Sequence, residues 1–266
     1  MKSKKTLVLF LILCFLTVLI VVGSVLFSVK TVVGYCYNAD DTELNEQVVE
    51  ASAAKLKKGS SIFLVRENEI INEVESKLPN VWVINVERVF PSGVYIDYVK
   101  IKEYFVAKSG DKLLYVSNNG KILRSSQETA SEKMIELRYG GNFDSTATGS
   151  TIFRSESLNY EVLVNLMKAL HRVESEHDNL VEMFEFVDLS FVDKNELFIK
   201  TGAGVCIEIQ NPEKNMLEKV RFAMSFLNGE DLDRTSKGTI TVFTSGDKVK
   251  CTWSAEDKYS AIKSQE

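Results

Sequence analysis

The hydrophobic pattern divides the chain into three regimes. Residues 6–29 form an uncharged, mostly apolar run. At about 1.5 Å per residue in a helix, it is long enough to cross a hydrocarbon core of roughly 30 Å. A cleaved signal peptide is the rival reading, with Val22-Gly23-Ser24 as a small-residue processing site. Signal cores run about 7–15 residues, and this one stays apolar beyond that point, so an uncleaved helix over 6–28 is expected. The second regime mixes periods. A short strand at 29–33 leads to Gly34, and Asp40-x-x-Glu43 reads as a capping box. The helix it opens carries Leu44, Val48, Val49 and Leu56, with Lys55, Lys57 and Lys58 at its C-terminal end and Gly59 at the C′ position. A second helix over 67–78 places Ile70, Ile71, Val74 and Leu78 on one face, and Pro79 stops it. Strands at 81–90 and 94–101 flank Pro91-Ser92-Gly93, a turn sequence. The predicted order is β-α-α-β-β.

From Tyr104 onward the pattern is strand after strand. Strands at 112–117 and 121–124 bracket Asn118-Asn119-Gly120, a strong hairpin signal. Residues 125–155 are polar, rich in Ser, Thr and Gly, and read as loop. A helix over 158–176 follows, with Leu158, Val162, Leu163, Leu166, Leu170 and Val173 at helical spacing. Strands are expected at 183–192, 196–200 and 205–209, a helix at 213–227 after Pro212, and strands at 239–244 and 248–253 around Ser245-Gly246-Asp247. The tail after Asp257 is short and polar and reads as frayed. The fold class is α+β: a cytoplasmic tail (1–5), a transmembrane helix (6–28), a small α/β domain (29–101), a mixed β domain with two helices (102–254) and a flexible tail (255–266).

Charge adds topology. Lys2, Lys4 and Lys5 precede the apolar run and only Lys30 directly follows it, which places the N-terminus in the cytoplasm and the rest outside. All 37 acidic residues follow the run, and the net charge is −5. That excludes a nucleic-acid surface, which needs clustered Lys and Arg, and no basic patch for anionic lipid headgroups is evident. Two His and four Cys exclude a metal-rich or disulfide-stapled fold. Cys206 and Cys251 both lie in strand-like runs, and the sequence leaves open whether they pair or stay as buried thiols.

Catalytic constellations are missing. His171 and His177 sit six residues apart beside Glu174, Glu176 and Asp178. That spacing does not put two imidazoles on one helix face, so the group reads as a solvated helix end rather than a metal site. Gly202-Ala203-Gly204 has Ile207 where a dinucleotide loop has its third Gly, and a strand follows, so it reads as a hairpin turn. There is no Gly-x-Ser-x-Gly elbow and no Walker loop. No enzyme, cofactor or metal is expected.

The ordered motifs point to a family. Lys58-Gly59-Ser60-Ser61-Ile62-Phe63, then Glu69-Ile70, Leu78-Pro79-x-Val81, and Val86-Glu87-Arg88-x-Phe90-Pro91 resemble the POTRA signature of the bacterial division proteins FtsQ and DivIB. Residues 99–107 resemble the next element, with Glu103, Val106 and Ala107 matching while Tyr104 and Phe105 replace the family's Arg and Pro. Asn118-Asn119-Gly120-Lys121-Ile122 resembles its Asp-x-Gly-Lys-Val turn, and Leu197, Gly204-Val205, Glu218-Lys219 and Gly238-Thr239-Ile240 are similar to its C-terminal β domain. The likeness spans about 30–253 and is weakest over 125–155.

The resemblance implies a non-enzymatic membrane scaffold at the division septum. Its partners would be small single-span coiled-coil proteins of the FtsB/DivIC and FtsL type, bound by the last strands of the β domain. Phe243, Ser245 and Gly246 sit where the family's binding strand and turn lie. By the period of two, Val249, Cys251 and Trp253 share one face of the last strand, although Trp253 falls two residues later than the family pattern. The competing role for Phe243, Val249 and Trp253 is core packing under the helix at 213–227. In the POTRA part, the family implies that the end bearing Arg88, Phe90 and Pro91 faces partners, while an ion-paired Arg88 and a simple turn are the plainer readings. Physical chemistry gives an independent motive: an open sheet edge offers unpaired N–H and C=O groups to a partner strand. A second function class follows from the same edge, a POTRA-bearing chaperone or secretion accessory that captures extended segments. A defined partner separates the first from the second.

Overall fold

A computed structural model describes residues 2–128, 132–174, 180–229 and 237–264, with side chains from residue 8 onward. The chain divides into two compact units, Met1–Lys100 and Ile101–Glu266.

The first unit begins with α1 (Lys2–Leu26). Over Val8–Leu26 the mean hydropathy is 3.1, and none of the described residues buries the helix. A helix apolar all round and bare of protein fits a single-pass membrane topology. Next come β1 (Thr31–Cys36), α2 (Thr42–Ser52), α3 (Glu67–Lys77), β2 (Val81–Val89) and β3 (Gly93–Lys100). The sheet order is β1-β3-β2, with β1 parallel and β2 antiparallel to β3. Both helices cover one face, and Val48, Ile62, Ile70, Val74, Val83 and Ile96 form the core between them and the sheet. Where β1 passes α2, a Cβ on Gly34 would lie 2.9 Å from the Asn45 carbonyl oxygen, so the close approach requires glycine.

Two local expectations shift. The cap of α2 is Asp41 rather than Asp40, its carboxylate accepting from the Leu44 N–H at 2.9 Å. The helix stops at Ser52, so Lys55, Lys57, Lys58 and Gly59 lie in the following loop. Gly59 donates its N–H to the Val29 carbonyl at 2.8 Å, which turns the chain back toward the start of β1 instead of closing the helix.

The second unit is built on one nine-stranded sheet. Its strands are β4 (Glu103–Ser109), β5 (Lys112–Ser117), β6 (Ile122–Ser126), β7 (Ile135–Arg138), β8 (Phe184–Asp188), β9 (Glu196–Thr201), β10 (Val205–Gln210), β11 (Gly238–Ser245) and β12 (Lys248–Ser254). The spatial order is β12-β11-β10-β9-β8-β7-β4-β5-β6. Its helices are α4 (Leu158–Val173), the one-turn α5 (Leu180–Met183), α6 (Met216–Leu227) and α7 (Lys258–Lys263). β10 and β11 run parallel, with α6 as their crossover, and α4 and α6 pack against each other. α6 also packs on β11 and β12. The α+β class holds throughout.

The polar stretch read as loop contains β7, which pairs in parallel with both β4 and β8. Only Ile135 and Leu137 are apolar there, too short an alternation to register alone. The remainder of that stretch is pinned to the β5–β6 turn by the Ile152 N–H on the Gly120 carbonyl at 2.9 Å, with Ile152 and Phe153 buried. Residues 258–263 are also not frayed. They form α7, capped by the Asp257 carboxylate, and its Tyr259 is buried against Phe186, Phe191, Phe198 and Cys206. His171 is buried and meets the Tyr104 ring edge-on at 5.3 Å, so that end of α4 is packed rather than solvated. Glu176, His177 and Asp178 lie outside the described residues.

Candidate functional site

The sheet of the second unit has two edges, and they differ. At β6 the Ile122 N–H donates to the Ser150 carbonyl at 2.8 Å and the Gly149 N–H to the Ile122 carbonyl at 2.7 Å, so a loop covers the start of that edge. At the other end β12 is bonded only to β11 among the described residues. The small sheet of the first unit offers a contrast, because the outward Val83 N–H of edge strand β2 is taken up by the Glu75 carboxylate at 2.9 Å. Edge strands in folded proteins are normally blunted in such ways. β12 is not.

Hairpin geometry shows which groups it presents. β11 and β12 are joined by Gly246-Asp247, with Ser245 opposite Lys248. Gly246 takes φ of 64° while Asp247 does not take a positive φ, the glycine-first arrangement of a type II′ turn. In a two-residue hairpin the flanking pair exchanges both hydrogen bonds, and bonded and non-bonded pairs then alternate. Ser245/Lys248, Phe243/Lys250, Thr241/Thr252 and Thr239/Ser254 are therefore bonded pairs. Val249, Cys251 and Trp253 are not, so their N–H and C=O groups point away from β11 toward the open side.

The same register separates the candidate side chains. Val249, Cys251 and Trp253 share a face with their partners Thr244, Val242 and Ile240. Phe243 faces the other way with Lys248 and Lys250, on the side that α7 covers further along at Thr239. Val249 is buried, Cys251, Trp253 and Phe243 are half-buried, and Ser245, Gly246, Lys248 and Lys250 are exposed. The two readings of these residues thus divide between groups. Val249 packs beneath α6, while the turn and the lysines are open to solvent. Trp253 lies on Gly238, whose missing side chain makes room for the indole.

Cys206 and Cys251 are both free and lie on opposite faces, since Cys206 opposes Thr239 and Cys251 opposes Val242. Burial pushes the Cys206 thiol up to about 12 and the Cys251 thiol up to about 11, so neither is a thiolate at neutral pH.

Behind the terminal strands lies a charged network that the sequence did not disclose. Glu208 on β10 is 3% exposed. It accepts from the Lys258 ammonium at 2.8 Å, the Thr241 hydroxyl at 2.7 Å and the Gln210 amide at 2.8 Å. Beside it Asp257 accepts from Lys200 at 2.7 Å, and Tyr259 donates to Asp188 at 2.8 Å. α7 is thereby fastened to the sheet next to β11. Burial raises the Glu208 carboxyl, but the hydrogen bonds from Lys258, Gln210 and Thr241 outweigh it and hold it below the usual carboxylate range. A group depressed in the folded state stabilises above its unfolded pKa and loses that contribution as pH falls through the folded value. Stability of the second unit is therefore expected to decline on acidification below about pH 4.3. Glu208→Gln should cost roughly 1–3 kcal/mol at neutral pH and flatten that decline. Urea unfolding of both chains across the acid range measures it.

In the first unit Arg88 is engaged by Glu67, its Nη2 at 2.8 Å and Nε at 3.2 Å from the same carboxylate oxygen, so the ion-paired reading describes its position. Phe90 is 56% exposed, and the Phe90–Pro91 peptide is cis.

Residues 42–104 match a family model described as the FtsQ-type POTRA domain, from the start of α2 into β4. None of the curated proteins compared with the chain matches it. The matched segment contains the paired helices and both strands that follow them, completing with β1 the β-α-α-β-β unit, and this FtsQ-type POTRA domain supports an FtsQ/DivIB family assignment.

Proposed function

We propose that this protein is a non-enzymatic scaffold of the bacterial division machinery that holds small single-span partners of the FtsB/DivIC and FtsL type by strand addition at β12. The FtsQ-type POTRA domain supports a division-related scaffold role. The observation that carries the binding mode is the open edge of β12, which along its whole length is bonded only to β11 among the described residues. A partner strand laid there gains hydrogen bonds from the outward groups of Val249, Cys251 and Trp253. The exposed Lys248 and Lys250 favour acidic side chains in the added segment. α1 anchors the molecule in the cell membrane with its N-terminus in the cytoplasm, and the two units work outside, linking the captured partners to septal wall synthesis. In that setting Arg88, Phe90 and Pro91 belong to the first unit's outward contacts.

Affinity purification of the tagged full chain from detergent-solubilised membranes tests this reading. A small single-span protein with a heptad-repeat exterior helix, recovered in fixed ratio, is the expected result. Recovery of many unrelated extended chains in variable amounts would instead identify a chaperone or secretion accessory.

A further inference from the structure

We infer that Phe63, Leu64 and Phe90 form a lipid-contacting patch at the base of the first unit, seated in the interfacial layer of the bilayer where α1 emerges. The inference goes beyond the scaffold role and rests on the reading of α1 as a membrane span. Three observations carry it.

The first is exposure. Phe63 is 58%, Leu64 76% and Phe90 56% exposed, an expensive arrangement for three large apolar side chains in water. The second is clustering. Phe63 and Phe90 have ring centroids 5.5 Å apart, and both pack on Phe27, at 5.4 and 6.4 Å. The third is the position of Phe27, which follows directly on Leu26, the last residue of α1.

That position is fixed by backbone bonds on both sides of the junction. The Ile62 N–H donates to the Phe27 carbonyl at 2.9 Å and the Val29 N–H to the Ser60 carbonyl at 2.8 Å. The Lys30 N–H donates to the Ser92 carbonyl at 2.9 Å, tying in the turn after Phe90. The loop carrying Phe63 and Leu64 and the turn beside Phe90 are thus clamped to the residues leaving the helix. Each headgroup layer is about 5–7 Å deep, so rings within 6.4 Å of Phe27 lie at the depth of the membrane–water boundary. Aromatic side chains concentrate there because an apolar body and a wet surround are both accommodated. The exposed Lys30, Lys57 and Lys58 adjoin the same clamp, through Val29 and Gly59, and lie at the height of lipid phosphates. The bilayer surface is therefore the occupant of this patch.

The test uses the full chain reconstituted into vesicles of phosphatidylethanolamine and phosphatidylglycerol. A photoreactive benzoylphenylalanine replaces Phe63, Leu64 or Phe90 in turn. Tyr35 and Tyr95, which are 46% and 40% exposed on the sheet of the same unit, serve as comparison positions, and Leu19 reports insertion of α1. Lipid adducts severalfold more abundant from Phe63, Leu64 and Phe90 than from Tyr35 and Tyr95 are expected. Adducts from Leu19 with none above the comparison level from the three patch positions would overturn the patch and leave the span standing. No lipid adduct from Leu19 would overturn both.

Discussion

Val249→Pro is expected to weaken partner capture by about tenfold or more while leaving the second unit folded. Proline at 249 removes an N–H that points to the open side of β12 and puts ring atoms where a partner carbonyl would approach. One lost hydrogen bond is worth about 1 kcal/mol, and about 1.4 kcal/mol is a factor of ten, so the added steric clash carries the effect past that mark. The internal ladder survives, because Val249 is a non-bonded pair with Thr244. Some packing under α6 is lost, since Val249 is 6% exposed, and a modest drop in thermal midpoint is expected. Lys250→Pro is the informative companion. Its N–H points inward to Phe243, so proline there breaks the hairpin itself and should cost roughly 3 kcal/mol. Co-purified partner and urea unfolding, measured on both variants, separate the two effects. Equal capture by a folded Val249→Pro chain would show that the partner does not bind at this edge.

Gly238→Ala is expected to be the most disruptive single methyl in the second unit. A Cβ there would stand 2.5 Å from Cζ2 of Trp253 and 2.5 Å from the Ser254 carbonyl oxygen, and it would also overlap Cη2 of the same indole. The indole is not a flexible chain end, and the carbonyl belongs to the backbone of β12, so the edge strand must shift. Overpacking of this kind costs roughly 1–3 kcal/mol, and here it falls on the strand offered to the partner. Capture and stability should drop together, with a changed near-ultraviolet circular dichroism from Trp253. Gly246→Ala offers a graded comparison. Its Cβ meets nothing within 4 Å, and only the positive φ of 64° opposes it, at about 1–2 kcal/mol.

Much of this fold was legible because its signals are local. The strands β2 and β3 on either side of the Pro91-Ser92-Gly93 turn, the Asn118-Asn119-Gly120 turn with Gly120 at φ 79°, and the helical spacing of α3 and α4 are each signalled by residues close together in the chain. What escaped depends on partners distant in sequence. β7 exists because β4 and β8 flank it on either side, some thirty to fifty residues away along the chain. α7 has only Tyr259 and Ile262 to bury, and its stability comes from Phe186, Phe191 and Phe198 on the sheet and from Asp188. Helix ends misread for a related reason. α6 opens at Met216 rather than Glu213, because Asn215 takes a left-handed φ of 54° before it, and nothing in Pro212-Glu213 announces that.

The candidate site was half legible. Period-two reasoning put Val249, Cys251 and Trp253 on one face, and the register agrees. The core-packing alternative that set Phe243 beside Val249 and Trp253 under the helix at 213–227 does not hold for Phe243, since a hairpin partner at 250 sends it to the opposite face. Glu208 and Lys258 were invisible, as the buried carboxylate is satisfied by Gln210 on its own strand together with Thr241 and Lys258 from far along the chain. Lys219 stood out only as part of a motif, and its role was hidden: its ammonium is buried and donates to the Gln210 and Asn211 carbonyls at 2.7 Å, fixing α6 to the end of β10.

In-cell photo-crosslinking from position 248, exposed at the start of β12, shows whether β12 holds a defined partner. One dominant adduct is expected, a small single-span protein with a heptad-repeat helix outside the membrane, lost in the Val249→Pro chain. A spread of unrelated secreted chains, or no adduct from a chain shown to be inserted and folded, would contradict capture of a defined partner at β12.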